Sequence, residues 1–231
     1  MSEVPGEVRD LYPFLYERRA AEQDAGALTE EVVRSAREKA AGIAALRREI
    51  ATADADRIAA CAAAMAKRFA AGGRLFTFGN GGSSTDAQGL ATTFLHPPGG
   101  PAAGAVVLPA LSLTSDAAVV TALSNDVGFD VVFARQLAAF GRPGDIAVGL
   151  STSGGSANVV QALEEAARRG LLTVALAGHH GGRLAQLACL EHLFVIPSDS
   201  VHRIQEAQTT VYHVLWELIQ QALRAGRGGG R

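Results

Sequence analysis

Two stretches combine glycine with hydroxyl and amide side chains: Gly79-Asn80-Gly81-Gly82-Ser83-Ser84 and Ser151-Thr152-Ser153-Gly154-Gly155-Ser156. Glycine lets backbone N–H groups come close to a ligand, and Ser and Thr hydroxyls donate to anionic oxygens. Each stretch follows an apolar run that reads as a strand and opens a segment of helical periodicity, so its donors sit at a helix N-terminus, where the dipole favours an anion. The chemistry this predicts is a neutral cradle for a phosphate group. Neither stretch ends in the Gly-Lys-Ser/Thr of a nucleotide P-loop, and Ser84 stands where the third glycine of a dinucleotide fingerprint would fall. One such loop alone reads as an ordinary helix cap; two at strand ends in one domain read as a binding site.

Other chemically capable residues read more simply. Cys61 and Cys189 lie in apolar runs without a Cys-x-x-Cys partner, which fits buried small hydrophobes rather than a disulfide framework or a thiolate metal site. His179-His180 falls in a glycine-flanked turn and reads as solvated turn residues. Leu215, Leu218, Ile219 and Leu223 recur at helical spacing and read as core or oligomer contact.

The elements that must position the two loops follow from hydrophobic period. Leu28, Val32, Val33, Ala36, Ala40, Ile43 and Ile50 predict an amphipathic helix over 28–50. Thr52 then caps a second helix with Ile58, Cys61, Met65 and Phe69 on one face, ended by Gly72-Gly73. Strands are predicted at 74–79, 106–113, 145–150, 172–177 and 192–196. Helices are predicted at 84–95, 117–123, 129–140, 157–169, 182–187 and 201–223. Short, continuously apolar strands alternating with helices require a parallel sheet covered on both faces. The fold class expected is therefore a three-layer α/β/α sandwich with a mainly parallel five-stranded sheet, extra N-terminal helices and a long C-terminal helix. The expected organisation is an N-terminal extension over 1–27, one domain over 28–223 and a disordered tail over 224–231. The Pro/Gly-rich segment 96–104 reads as a mobile loop.

A chain of 231 residues, 48% hydrophobic and with a net charge of -2, closes a large core and lacks the basic surplus of a nucleic-acid binder. No run is long and apolar enough to span a membrane, and the charged first ten residues carry no signal-peptide pattern, so a cytoplasmic protein without membrane or nucleic-acid partners is expected. The long helices 28–50 and 201–223 offer more amphipathic surface than one sheet covers, which predicts a homo-oligomer.

Gly79-Asn-Gly-Gly-Ser83, Leu123-Ser-Asn-Asp-Val-Gly-Phe129, Gly144-Asp145, Ser151-Thr-Ser-Gly-Gly-Ser-Ala-Asn158 and Arg203-Ile-Gln-Glu206 occur in the order in which the sugar isomerase (SIS) domain carries such motifs. Within that fold the chain most resembles the phosphoheptose isomerases, which interconvert sedoheptulose 7-phosphate and glycero-manno-heptose 7-phosphate. The resemblance implies that Ser151, Thr152, Ser153 and Ser156 hold the phosphate. It implies further that Asn80, Gly81, Gly82, Ser83, Gln205, Asn125 and Asp126 contact the substrate, and that dimers or tetramers share their sites.

The resemblance also has a gap. The isomerases place a His and a Glu on the helix after the first loop, where this chain has Gly89 and Thr93, and these join a Gln and a His matched by Gln205 and His213 around zinc. With half of that set missing, and Gln205 and His213 some 12 Å apart along one helix, no zinc or other cofactor is expected. Ketose–aldose isomerisation through an enediol needs a base at the carbons and an acid at the oxygens. With the family Glu gone, the candidates are Glu206 and His213 first, then Asp126, Asp86 and His96, while His202 can approach from a neighbouring subunit. The expected function is a metal-independent sugar-phosphate isomerase. The alternative is a non-catalytic SIS protein that binds a sugar phosphate as a signal or serves as an oligomeric scaffold for a protein partner.

Overall fold

The structure, a computed structural model, describes residues 25–100 and 104–228. Its helices are α1 (Ala25–Ala53), α2 (Ala55–Ala70), α3 (Gly82–Leu95), α4 (Ala117–Asp126), α5 (Val132–Phe140), α6 (Ala157–Arg168) and α7 (Val201–Gly228). The strands are β1 (Leu75–Gly79), β2 (Ala110–Ser112), β3 (Ile146–Ser151), β4 (Leu172–Gly178) and β5 (His192–Ile196). They form one sheet in the order β2-β1-β3-β4-β5, with every pair parallel.

Strand side chains alternate between the two faces, as a period of two demands. Leu75, Ile146, Val148, Leu150, Leu172, Val174 and Leu176 join a core with Ile58, Cys61, Met65 and Phe69 of α2, Leu90 and Phe94 of α3 and Ile204, Val211, Leu215 and Ile219 of α7. Phe76, Phe78, Ala147, Ala175 and Ala177 face the other core, with Phe133 and Leu137 of α5 and Val159, Val160 and Leu163 of α6. The result is the three-layer α/β/α sandwich expected. Thr77, buried in β1, donates its hydroxyl proton to the Ala87 carbonyl at 2.7 Å and pins α3 to the sheet. At the opposite end of the strands, buried Asp145 accepts from Arg74 Nη2 at 2.7 Å and from the backbone N–H groups of Arg74 and Arg142.

Several local expectations change. Thr52 does not cap α2: its hydroxyl donates back to the Arg48 carbonyl within α1, and the chain turns at Asp54 instead. The strand expected over 106–113 narrows to Ala110–Ser112, because buried Gln220 of α7 takes both backbone groups of Val106. Residues 129–131 and 182–186 are single 3-10 turns. The tail expected from residue 224 is helical through Gly228, with Arg224 Nε donating to the Gln220 carbonyl. In the segment 96–104, Pro97 is buried and Gly100 N–H donates to its carbonyl; residues 101–103 lie outside the described residues. Most of the expected extension 1–27 does too. Two compact units divide between Gly42 and Ile43, inside α1. The unit from Ile43 contains the whole sheet and both loops.

Candidate active site

From β1 the chain goes on to β2 on one side, while β3 lies on the other, so the strand order reverses between β1 and β3. In an open parallel sheet the crevice beyond the carboxyl ends of the strands at such a switch point is where ligands bind. Both Gly/Ser loops leave the sheet at this place: residues 79–84 follow β1 and residues 151–156 follow β3.

A reciprocal amide pair ties the loops together. Asn80 Nδ2 donates to Asn158 Oδ1 at 2.8 Å, and Asn158 Nδ2 donates to Asn80 Oδ1 at 2.9 Å. Asn158 is buried in the first turn of α6. Sequence reasoning did not assign it a role. Its signal was present, an amide two residues into the helix that the second loop opens, but only the fold discloses its partner 78 residues away.

In the second loop the hydroxyls converge. Ser151 Oγ lies 2.9 Å from Ser156 Oγ and 3.4 Å from Ser153 Oγ, and Ser153 Oγ accepts from Gly155 N–H at 3.2 Å. Ser156 is the N-cap residue of α6, yet its side chain makes no cap bond and turns to Ser151 instead. Gly81 at the N-cap of α3 likewise has no side chain to cap with. Two helix N-termini therefore open side by side with no side-chain cap, the arrangement an anion stabilises. The loop keeps this shape by close packing: Gly154 has φ +64°, and a Cβ there would run into the Gly181 carbonyl of the β4 turn.

Gln205 is brought to the first loop. A Cβ on Gly82 would overlap the Gln205 side-chain amide, so the glycine is what lets α7 lay this amide over the start of α3. Ser83 behaves differently from the other expected contacts. It is buried, and its N–H donates to the Asn80 carbonyl, so it shapes the loop from beneath rather than presenting a hydroxyl. Asn125 and Asp126 sit exposed at the end of α4, joined by a 2.8 Å bond from Asn125 Nδ2 to Asp126 Oδ1, and no bond carries them to either loop. Glu206 and His213, seven residues apart and so on one side of α7, are both exposed. The His213 ring meets the Tyr212 ring edge-on at 4.8 Å.

The family's zinc set is incomplete in these residues. Gly89 offers no donor, and the Thr93 hydroxyl donates to the Gly89 carbonyl at 2.9 Å. A Cβ on Gly89 would stand in ordinary contact with the Tyr212 hydroxyl, at 3.6 Å. Among the described residues no three His, Cys, Asp or Glu side chains gather as metal ligands would. Of the described carboxylates, Asp86 on α3 has its pKa raised, by burial. Tyr212 is also raised, first by burial and further by the nearby Asp86, against a lowering by Thr209.

Comparison with known proteins bears on most of the chain. Residues 40–178 match the SIS domain. The phosphoheptose isomerase of Chlorobaculum tepidum is 44% identical over 188 residues, spanning 78% of this chain and 85% of that protein. That of Halorhodospira halophila is 42% identical over 172 residues, spanning 72% and 83%. Among solved structures, phosphoheptose isomerase from Neisseria gonorrhoeae superposes with a TM-score of 0.74 at 33% identity, covering 84% of this chain and 99% of that one. The Francisella tularensis enzyme gives 0.75 at 33% identity, covering 82% and 98%. No helix among the described residues is long and apolar enough to cross a membrane. With the switch-point loops, their motifs and these relatives in agreement, the chain belongs to the phosphoheptose isomerase family of SIS-domain proteins.

Proposed function

We propose that this chain is a sugar-phosphate isomerase that interconverts sedoheptulose 7-phosphate and glycero-manno-heptose 7-phosphate through an enediol. The observation that carries this reading is the pair of uncapped helix N-termini at the β1/β3 switch point, bridged by Asn80 and Asn158 and faced by three converging hydroxyls. Ser151, Thr152, Ser153, Ser156 and the backbone N–H groups of α6 bind the phosphate. Asn80, the Gly81-Gly82 backbone and Gln205 hold the sugar oxygens, and Asn125 and Asp126 reach the polyol from the end of α4. Glu206 and His213, exposed on one side of α7, are the acid–base candidates on that helix, where a second copy in a homodimer or homotetramer covers them.

The reaction runs without a resident zinc ion in this reading, because Gly89 supplies no ligand and the Thr93 hydroxyl is engaged by its own helix. No other cofactor, nucleic acid or membrane takes part, and the enzyme works in the cytoplasm. The loss of the same two donors also favours a second reading, a SIS protein that binds a sugar phosphate without converting it.

One experiment separates the two. Protein treated with chelator is incubated with sedoheptulose 7-phosphate in heavy water and followed by NMR. Deuterium entering beside the carbonyl, with aldose phosphate accumulating, supports the isomerase. Ligand-induced shifts without exchange or product would overturn it in favour of the binding protein.

A further inference from the structure

An enediol mechanism needs a base beside the carbon that loses its proton, shielded from bulk water and with a pKa above that of a free carboxylate. The sequence offers six candidates. Glu206, His213, Asp126, His96 and His202 are exposed; Asp86 is half-buried. Asp86 is the one charged residue of α3, a turn beyond the Gly82 backbone that opens this helix.

Two contacts fix which way this part of α3 faces. Gly82 lies against the Gln205 amide and Gly89 lies by the Tyr212 hydroxyl, so Asp86 belongs to the stretch bracketed between them, against α7. The fold leaves that stretch polar and unsatisfied. Asp86 Oδ2 is buried with no hydrogen-bond partner, and so are both side-chain amide atoms of Gln208, which is itself fully buried on the matching stretch of α7. A buried carboxylate oxygen without a donor is a cost that a purely structural Asp at this position would not need to carry. Burial raises its pKa above that of a free carboxylate, and its charge adds to the rise at Tyr212.

We propose that Asp86 is the base of the isomerisation, a role that rests on the isomerase reading above. Its carboxylate takes the proton from C1 of the ketose, and the C–H electron pair becomes the C1=C2 bond of the enediol while the C2 oxygen takes a proton from a hydroxyl donor. Tyr212 is placed on the same helix contact to supply that proton. In the second half Asp86 returns its proton to C2, the C1 hydroxyl becomes the carbonyl, and its proton goes back to the donor oxygen. Atoms and electrons balance without any oxidant or metal.

The test compares the full-length wild type with Asp86→Asn and Asp86→Ala, all chelator-treated, on sedoheptulose 7-phosphate in heavy water. Expected for Asp86→Asn is a fall in kcat and in deuterium exchange of about a hundredfold or more, with KM changed by less than about threefold. Its melting temperature is expected to equal or exceed that of the wild type, because a buried unpartnered charge has been removed. Added formate is expected to restore part of the exchange in Asp86→Ala, whose shortened side chain leaves room for a small carboxylate. Exchange by Asp86→Asn within about threefold of wild type overturns the assignment. So does a matched loss of substrate affinity and turnover without formate rescue, which is the signature of a structural role. If the wild type itself neither exchanges nor turns over, the isomerase reading falls and the base assignment with it.

Discussion

Cutting the amide bridge between the loops tests whether the fold builds one site or two neighbouring turns. In Asn158→Ala both bonds of the pair disappear, at 2.8 and 2.9 Å, from a side chain that is 2% exposed. Each such bond contributes about 1 kcal/mol net, so about 2 kcal/mol is lost in total. If the bridge serves mainly to hold the loops at ligand-binding distance, most of that loss falls on sugar-phosphate affinity, and about 2 kcal/mol corresponds to roughly a thirtyfold rise in Kd. Asn158→Asp sharpens the test. It keeps the shape and still accepts from Asn80 Nδ2, but it loses the reciprocal bond and puts a carboxylate beside the anion site, so its affinity should fall further than that of the alanine variant. Titration calorimetry with sedoheptulose 7-phosphate gives Kd, and urea unfolding of the same variants gives the change in stability. The reasoning is refuted if Asn158→Ala binds as tightly as wild type while losing the full amount in unfolding, which would make the bridge a packing feature alone.

Other outcomes follow from single contacts. Gly82→Ala should lower turnover more than stability, because the added Cβ displaces the flexible end of Gln205 rather than backbone; kcat/KM beside a melting curve checks it. Ser151→Ala combined with Ser153→Ala should weaken phosphate binding by about 1 to 3 kcal/mol, read by titration, since both hydroxyls converge in the second loop. Burial raises the pKa of Asp145, but the Arg74 guanidinium and two backbone N–H groups outweigh it and hold the carboxyl below its usual range. Its folded pKa is thus the lower one, so the stabilisation it brings is complete above about pH 4 and is lost as pH falls through the folded value. Asp145→Asn should accordingly be less stable by about 2 to 3 kcal/mol at neutral pH, a difference that shrinks in acid; urea melts across the pH range would measure it. Burial, with a smaller push from Glu191, drives the Cys61 thiol up to about 12. A thiol reagent should therefore reach Cys61 in the unfolded chain and not in the native one, as timed labelling with and without denaturant would reveal.

The sequence by itself determined the layers, because each strand's apolar run and each helix's apolar stripe carry a local period that one chain segment expresses alone. It disclosed the two glycine- and hydroxyl-rich loops for the same reason: glycines and hydroxyls at strand ends act through their own backbone. It also disclosed the gap at Gly89 and Thr93, since an absent donor is visible without coordinates. Where single bonds compete, it reached less far. Thr52 chose the Arg48 carbonyl over the next helix, and Gln220 claimed Val106 from the strand. Only the tertiary structure decided which side chains meet. The Asn80–Asn158 pair, the Gln205 amide against Gly82 and the Tyr212 hydroxyl beside Gly89 join residues 78, 123 and 123 positions apart. The burial of one Asp86 carboxylate oxygen is of the same kind. Such contacts depend on the crossing of α3 and α7 over the sheet, a global packing solution with no local period in the chain to announce it.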